Sequence, residues 1–245
     1  MFIYRDQRDR AAVAFTDRHG GVSASPFDSL NLGAAAGDRA ADVERNLVIA
    51  VEAFGADPAQ VARMNQVHGR DVAVMRAAPA ADDRPRADGM VTDQPGLTLV
   101  VRVADCVPVL LADPQAGLVG CAHAGRIGLA AGVVPRTVEA LRELGAERLT
   151  AWVGPHVCGA CYEVPEQLRA DVGAIAPEAV ATTAWGTPSL DLGAGVRAQL
   201  LAAGCEVVDA ACCTRESPDL YSYRRDGAKS GRSAGFVRLL PEASR

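Results

Sequence analysis

The stretch Ala104-Asp105-Cys106-Val107-Pro108-Val109-Leu110-Leu111-Ala112-Asp113-Pro114-Gln115-Ala116-Gly117-Leu118-Val119-Gly120-Cys121-Ala122-His123 reads as one β-hairpin, with a thiol at one end and an imidazole at the other. Residues 107–112 and 118–122 are apolar and partly β-branched, and Asp113 to Gly117 is a turn cluster. A turn that sets Ala112 opposite Leu118 puts Cys106 across from Ala124 and His123 across from Val107. A one-residue bulge in that turn instead sets Cys106 directly opposite His123 on one face. Either way a thiol and an imidazole meet at the mouth of the hairpin.

Elements extend outward on both sides. Toward the N-terminus, Leu97–Val103 is a β run, Ala77–Pro85 an Ala/Pro/Asp loop, and Val61–Val67 and Val72–Met75 are predicted strands joined through the turn His68-Gly69-Arg70-Asp71. A helix fits Asp42–Phe54, capped by Asp42 and ended by Gly55, and a first strand fits Ala11–Thr16. Toward the C-terminus, Gly125–Gly132 opens a helix over Pro135–Leu144, Leu149–Val153 is a strand, and Pro165 starts another helix. Ser189 is the expected cap of a helix reaching Ala203, and a last strand over Glu206–Ala210 precedes Cys212-Cys213-Thr214 and an arginine-rich tail. No repeat or low-complexity linker divides the chain, so one α/β domain over residues 1–245 is the expectation.

Composition narrows the classes. With 245 residues, 49% hydrophobic and 22% charged, the chain is long and apolar enough for a large core. Its net charge of -5 gives no long-range attraction to nucleic acid or anionic lipid, and neither is an expected partner. Lys229, the single lysine, follows Ala228 rather than a glycine run, which excludes a phosphate-loop lysine. The start of the chain carries no apolar signal segment, and the longest apolar runs are broken by Arg102 and Asp105 or by His123 and Arg126. No membrane span is expected. Seven cysteines, an odd count without a signal, point to a reducing cytoplasm with thiols buried or acting as ligands.

The chemistry must be found among few residues. His68, Cys106 and His123 all fall at strand ends or turns, and two imidazoles with one thiolate make the three-ligand pattern of a catalytic zinc site. The alternative is three ordinary strand-end residues. Gly125-Arg126-Ile127-Gly128 offers backbone N–H groups and a cation to an anion, or serves only as a tight turn. Arg224, Arg225 and Arg232, flanked by Tyr221 and Tyr223, form a second cationic group or a solvated basic tail. Cys158-Gly159-Ala160-Cys161 has redox-motif spacing but follows Gly154-Pro155 in a loop, and Cys212-Cys213 carries still less of a signal. His19 and His156 fall in loops, as surface or substrate-facing residues. Nucleobase-deaminase, His-Glu-x-x-His and Gly-x-Ser-x-Gly motifs are absent.

Five ordered motifs then carry a resemblance. They are Asn65-Gln66-Val67-His68-Gly69, Ala104-Asp105-Cys106-Val107-Pro108-Val109, His123-Ala124-Gly125, Gly154-Pro155 with Cys161-Tyr162-Glu163-Val164, and Ser222-Tyr223-Arg224-Arg225-Asp226 with Gly231-Arg232. Over nearly its whole length the chain resembles the bacterial YfiH family. Members are also called laccase-domain proteins, polyphenol oxidoreductases, peptidoglycan editing factor (PgeF) and purine nucleoside phosphorylases. The resemblance implies a single α+β domain of two packed mixed β-sheets flanked by helices, with zinc on His68, Cys106 and His123. It also implies substrate or phosphate contacts from Asn46, Gln66, Arg126, Arg224 and Arg225. Two departures stand out: Arg126 and Ile127 replace the family's Trp-Arg after His-Ala-Gly, and Leu47 stands where an arginine usually follows Asn46.

The activities implied are phosphorolysis of purine nucleosides (adenosine, inosine, guanosine, methylthioadenosine) and adenosine deamination, both zinc-dependent. The alternative is a zinc amidohydrolase that removes wrongly incorporated serine from a UDP-muramoyl peptidoglycan precursor. Copper-dependent polyphenol oxidation is the weakest expectation. A blue copper with a trinuclear cluster needs many more histidines than the four present, although a His₂Cys site accepts copper by substitution.

Overall fold

The structure, a computed structural model, describes residues 1–33 and 37–241. Along them run β1 (Phe2–Arg8), β2 (Ala11–Thr16), α1 (Ala40–Phe54), β3 (Val61–Arg63), β4 (Val72–Val74), β5 (Gly89–Thr92), β6 (Thr98–Val103), β7 (Val107–Asp113), β8 (Leu118–Ala124), α2 (Arg126–Ala131), α3 (Val133–Glu143), β9 (Thr150–Val153), α4 (Glu166–Gly173), β10 (Val180–Thr182), β11 (Pro188–Leu190), α5 (Leu192–Ala202), β12 (Glu206–Asp209), α6 (Tyr223–Asp226) and β13 (Ser233–Leu239). They build a five-stranded sheet of order β1-β2-β13-β6-β3 and a six-stranded sheet of order β12-β9-β7-β8-β5-β4. Both are mixed, with parallel pairs β3·β6, β4·β5 and β9·β12 among antiparallel ones. β10 and β11 form a separate ribbon.

The sheets pack face to face. Phe15, Leu99, Val101 and Val237 of the first meet Met90, Leu110, Val119, Cys121 and Trp152 of the second in one apolar layer. Trp152 is fully buried, and its indole N–H reaches Asp6 Oδ2 of β1 at 2.9 Å, which satisfies the one polar atom it takes inside. The outer face of the second sheet is covered by α3 and α5, through Val138, Leu141, Val196 and Leu200. That of the first is covered by α1, through Leu47, Val51 and Phe54. Truncating the fully buried Leu141 or Leu200 to alanine costs about 2–5 kcal/mol. The two packed mixed sheets with flanking helices are the α+β architecture expected.

The central hairpin forms, but in neither predicted register. Asp113 pairs with Leu118 and Ala112 with Val119, so four residues close the turn and Gly117 takes the left-handed conformation at φ 72°. Strand β7 runs one residue further than its apolar pattern because the buried Asp113 carboxylate accepts from Ala116 N at 3.1 Å, Glu147 N at 2.7 Å and Arg148 N at 2.8 Å. The shift pairs Pro108 with His123. Cys106, two residues before Pro108, then lies on the same face as His123, one diagonal step away.

Other expectations need correction. The strands on either side of His68 do not form a hairpin: β3 pairs with β6 and β4 with β5, in different sheets. Arg39, not Asp42, is the N-terminal boundary residue of α1. Ser189 lies in β11, and Asp191 caps α5 by accepting from Ala194 N at 2.8 Å. β1 and β5 were not anticipated. The arginine-rich tail contains β13, inserted between β2 and β6, whose residues are buried on both faces apart from Arg238 and show no alternation to read. No helix among the described residues is long and apolar enough to cross a membrane.

Candidate metal and substrate site

The imidazoles of His68 and His123 and the thiol of Cys106 offer donor atoms that all lie within 4.8 Å of one another. Each comes from a different segment. His68 occupies the connection between the two sheets with φ 60°, Cys106 follows Asp105 at φ 83°, and His123 is the penultimate residue of β8. Two non-glycine residues in the left-handed region mark a backbone bent to bring side chains together. Gly125 is needed for the approach, because a Cβ there would lie 3.0 Å from both Cys106 Sγ and His68 Cδ2.

Two buried aspartates, absent from the predicted site, hold this geometry. Asp88 has no exposed surface, and its carboxylate accepts from Val67 N (3.1 Å), His68 N (3.0 Å) and Gly69 N (2.7 Å) and from His123 Nδ1 (2.8 Å). It thus shapes the His68 turn and fixes the ring of His123, leaving Nε2 for a ligand, as in carboxylate–histidine–metal arrangements. Burial pushes Asp88 up, but the bonds from His123 and Gly69 outweigh it and hold the carboxyl below its usual range. Asp105 accepts from Thr214 Oγ1 at 2.6 Å and Arg224 N at 2.6 Å, fixing the residue before Cys106.

Burial likewise opposes ionisation of Cys106, yet His123 and His68 bring its thiol down to about 6. Burial pushes His123 down, but the charges of Cys106 and Asp88 win and raise it to about 9. These shifts favour a thiolate–imidazolium pair, the charge state in which a divalent cation would replace the shared proton. Two imidazoles and a thiolate suit zinc, and this donor set also accepts copper. His68 is exposed and His123 buried, so the cluster opens to solvent on the His68 side.

Of the predicted substrate residues, two approach this cluster. Arg224 lies 4.5 Å over the Tyr162 ring, and Tyr162 is raised by burial and by the Cys106 charge, with Arg224 and Arg126 opposing. The helix entered at Arg126 has six residues, so its dipole is small and the side-chain charge is the main attraction for an anion. The others are committed elsewhere. Gln66 exchanges two bonds with the Arg102 backbone (2.8 and 3.0 Å), and buried Asn46 bonds Val22 N, Ser23 Oγ and Asn31 O. Arg225 is spent on Asp226 and the carbonyls of Thr214, Ser217 and Leu220. His19 pairs with Asp219 at 2.8 Å, and His156 Nδ1 meets Gly154 O at 2.8 Å.

Sequence reasoning missed a row of cations. Arg63 pairs with Val100 and Arg102 with Ala234, so strand alternation puts Arg63, Arg102 and Arg232 on one face of the first sheet. Burial first, then the like charges of Arg63, Arg84 and Arg232, lower Arg102. Among the described residues Glu44 is the one carboxylate ion-paired with any of these four, and Arg63 holds it at 2.8 Å. Burial lowers Arg232, opposed by the charges of Cys106 and Asp105.

A family model described as multi-copper polyphenol oxidoreductase laccase matches residues 12–240. The chain belongs to this family. A relative named purine nucleoside phosphorylase, from Streptomyces coelicolor, is 54% identical over 98% of this chain and 100% of its own. Purine nucleoside phosphorylase YfiH of Escherichia coli is 36% identical over 94% of each chain. The crystal structure of Bacillus licheniformis YfiH matches with a TM-score of 0.84 at 28% identity, covering 94% of this chain and 92% of that one. The family's copper-oxidase description and the donor cluster both point to a metal.

Proposed function

We propose that residues 1–245 work as one YfiH-like domain in the cytoplasm that cleaves purine nucleosides by phosphorolysis and deaminates adenosine. Adenosine, inosine, guanosine and methylthioadenosine are the proposed substrates, with zinc held by His68, Cys106 and His123. The observation that carries the reading is a borderline-soft metal donor set in a chain whose relatives are named purine nucleoside phosphorylases, with Arg224 stacked on Tyr162, the residue after Cys161. A metal there supplies Lewis acidity.

The chain's own residues do the rest. Arg126 and Arg224 bind phosphate and orient one oxygen toward C1′ of the ribose. As the C1′–O bond forms and the bond from C1′ to the purine nitrogen breaks, positive charge develops on the sugar and negative charge on the base. Tyr162, its pKa raised by burial, keeps its proton at neutral pH and donates a hydrogen bond to the departing purine. Incubating purified, zinc-loaded protein with inosine tests this: hypoxanthine must appear only when phosphate is present. Release of ammonia from adenosine tests deamination separately.

One observation favours a second reading. The row Arg63, Arg84, Arg102 and Arg232 is longer than one phosphate requires and fits a diphosphate, as in a UDP-linked muramoyl-serine whose amide the same centre would hydrolyse. Turnover of that precursor against turnover of inosine separates the two.

A further inference from the structure

Away from the His68 cluster, two short turns face each other. In the first, Cys161 N and Tyr162 N both donate to Cys158 O, at 3.0 and 3.1 Å, which curls Cys158-Gly159-Ala160-Cys161 into a loop with a sulfur at each end. In the second, Ser217 N donates to Cys213 O at 3.1 Å and closes Cys213-Thr214-Arg215-Glu216 in the same way. The segments are tied by a parallel bridge between His156 and Cys213, with Thr214 N on His156 O at 3.0 Å. Cys158 N–H points at Cys213 Sγ across 3.5 Å, and Cys161 Sγ lies 3.5 Å from Glu216 Oε1. Three sulfurs and a carboxylate oxygen thus lie within 4.8 Å of one another.

We infer that Cys158, Cys161, Cys213 and Glu216 form a second metal site, a closed four-ligand zinc site distinct from the His68 cluster. Two chelating pairs of spacing x₂ are the usual way a short loop presents ligands to tetrahedral zinc, whose sulfur bonds of about 2.3 Å put neighbouring sulfurs near 4 Å apart. The donors need move little to reach that. A redox pair is a poorer reading, because three sulfurs and a carboxylate converge where a disulfide uses two sulfurs.

The site has a structural consequence. Val157 N donates to Asp105 O at 3.1 Å and Thr214 Oγ1 to Asp105 Oδ1 at 2.6 Å, so the two turns grip the residue that aims Cys106. Tyr162, next to Cys161, carries Arg224 on its ring. A metal clamping the turns fixes one wall of the His68 cluster without touching substrate.

Metal counting on full-length protein, purified under reducing conditions, stripped with chelator and titrated with zinc, tests the assignment. Wild type is expected to take up two equivalents. A His68→Ala/His123→Ala variant must retain one, and Cys158→Ser/Cys161→Ser must lose that one while keeping the other. Cobalt substitution supplies a second readout, since the histidine variant should show the sulfur charge-transfer band of three thiolates and the cysteine variant that of one. Glu216 is exposed, so Glu216→Gln keeps the fold and is expected to weaken the second equivalent by about tenfold or more. The inference is overturned if the histidine variant binds no zinc, if Glu216→Gln binds it as tightly as wild type, or if mass spectrometry finds Cys158 or Cys161 in a disulfide after reducing purification. Failure of the His68 cluster to bind would lower the wild-type count to one and leave the cysteine variant empty, while the equivalent retained by the histidine variant would still report the second site.

Discussion

The His68 cluster and the Cys158 cluster each bring their metal donors within 4.8 Å of one another, yet they are built differently. His68, Cys106 and His123 come from three separate segments, and buried aspartates, Asp88 and Asp105, fix their backbones and one ring before any ion is present. Cys158, Cys161, Cys213 and Glu216 come from two tight turns, and the buried carboxylate that bonds them, Asp105, meets the Thr214 hydroxyl rather than any of the four donor residues. A centre that must leave a coordination position free for chemistry needs its ligands aimed by the protein. A fastener can be shaped by the ion itself, because all four of its directions are taken by protein.

The sharpest way to break this contrast is His68→Ala. It should abolish metal binding at the open cluster and reduce phosphorolysis by more than about 100-fold, with little change in melting temperature because the side chain is exposed. Steady-state base release and a thermal melt check both halves. Asp88→Asn is next. It keeps the shape but turns an acceptor of four bonds into one that must present an N–H, so zinc affinity should fall about 10–100-fold and stability by about 1–3 kcal/mol. Competition titration and denaturant melts measure these, and an unchanged affinity would mean that the ligands are not held from behind.

Gly125→Ala adds one methyl 3.0 Å from Cys106 Sγ and His68 Cδ2. It should spread the open cluster and lower activity by up to about 100-fold while leaving the second zinc equivalent intact, as metal counting would show. The smallest effect is expected from Asp113→Asn, remote from both clusters. Burial opposes ionisation of Asp113, but the backbone N–H donors of Arg148, Ala116 and Glu147 hold its pKa below the usual value. Its stabilisation is complete above about pH 4 and is lost as pH falls through the depressed folded value. The variant should be about 1–2 kcal/mol less stable at neutral pH, and the gap to wild type should close in acid, with activity unchanged.

Much of the architecture was legible because it rests on short-range patterns. The β7–β8 apolar runs, the strand Ala11–Thr16 and the end of α1 at Gly55 were placed from residue type alone. The register was not, because it turns on Asp113 bonding residues some thirty positions away. β13 was hidden behind its neighbouring arginines: a strand buried on both faces has no alternation. At the site, the ligand candidates were readable as the chain's scarce histidines and a strand-end cysteine. Asp88 was not, since nothing local separates a buried, bond-accepting Asp-Gly from an ordinary turn. Gln66 and Asn46 belong to recognisable motifs, yet their amides bond backbone partners that only the fold supplies. The meaning of Cys158-x-x-Cys161 depends on a second turn more than fifty residues further on, which the local sequence of the loop does not carry.

The central position of β13 bears on synthesis at the ribosome. It lies between β2 and β6, so the first sheet cannot close until this late strand has left the exit tunnel, long after its neighbours. Until then the edges of β2 and β6 stay open to pairing with other nascent chains. A product that stops short of this strand would leave both edges bare for good and be prone to clump.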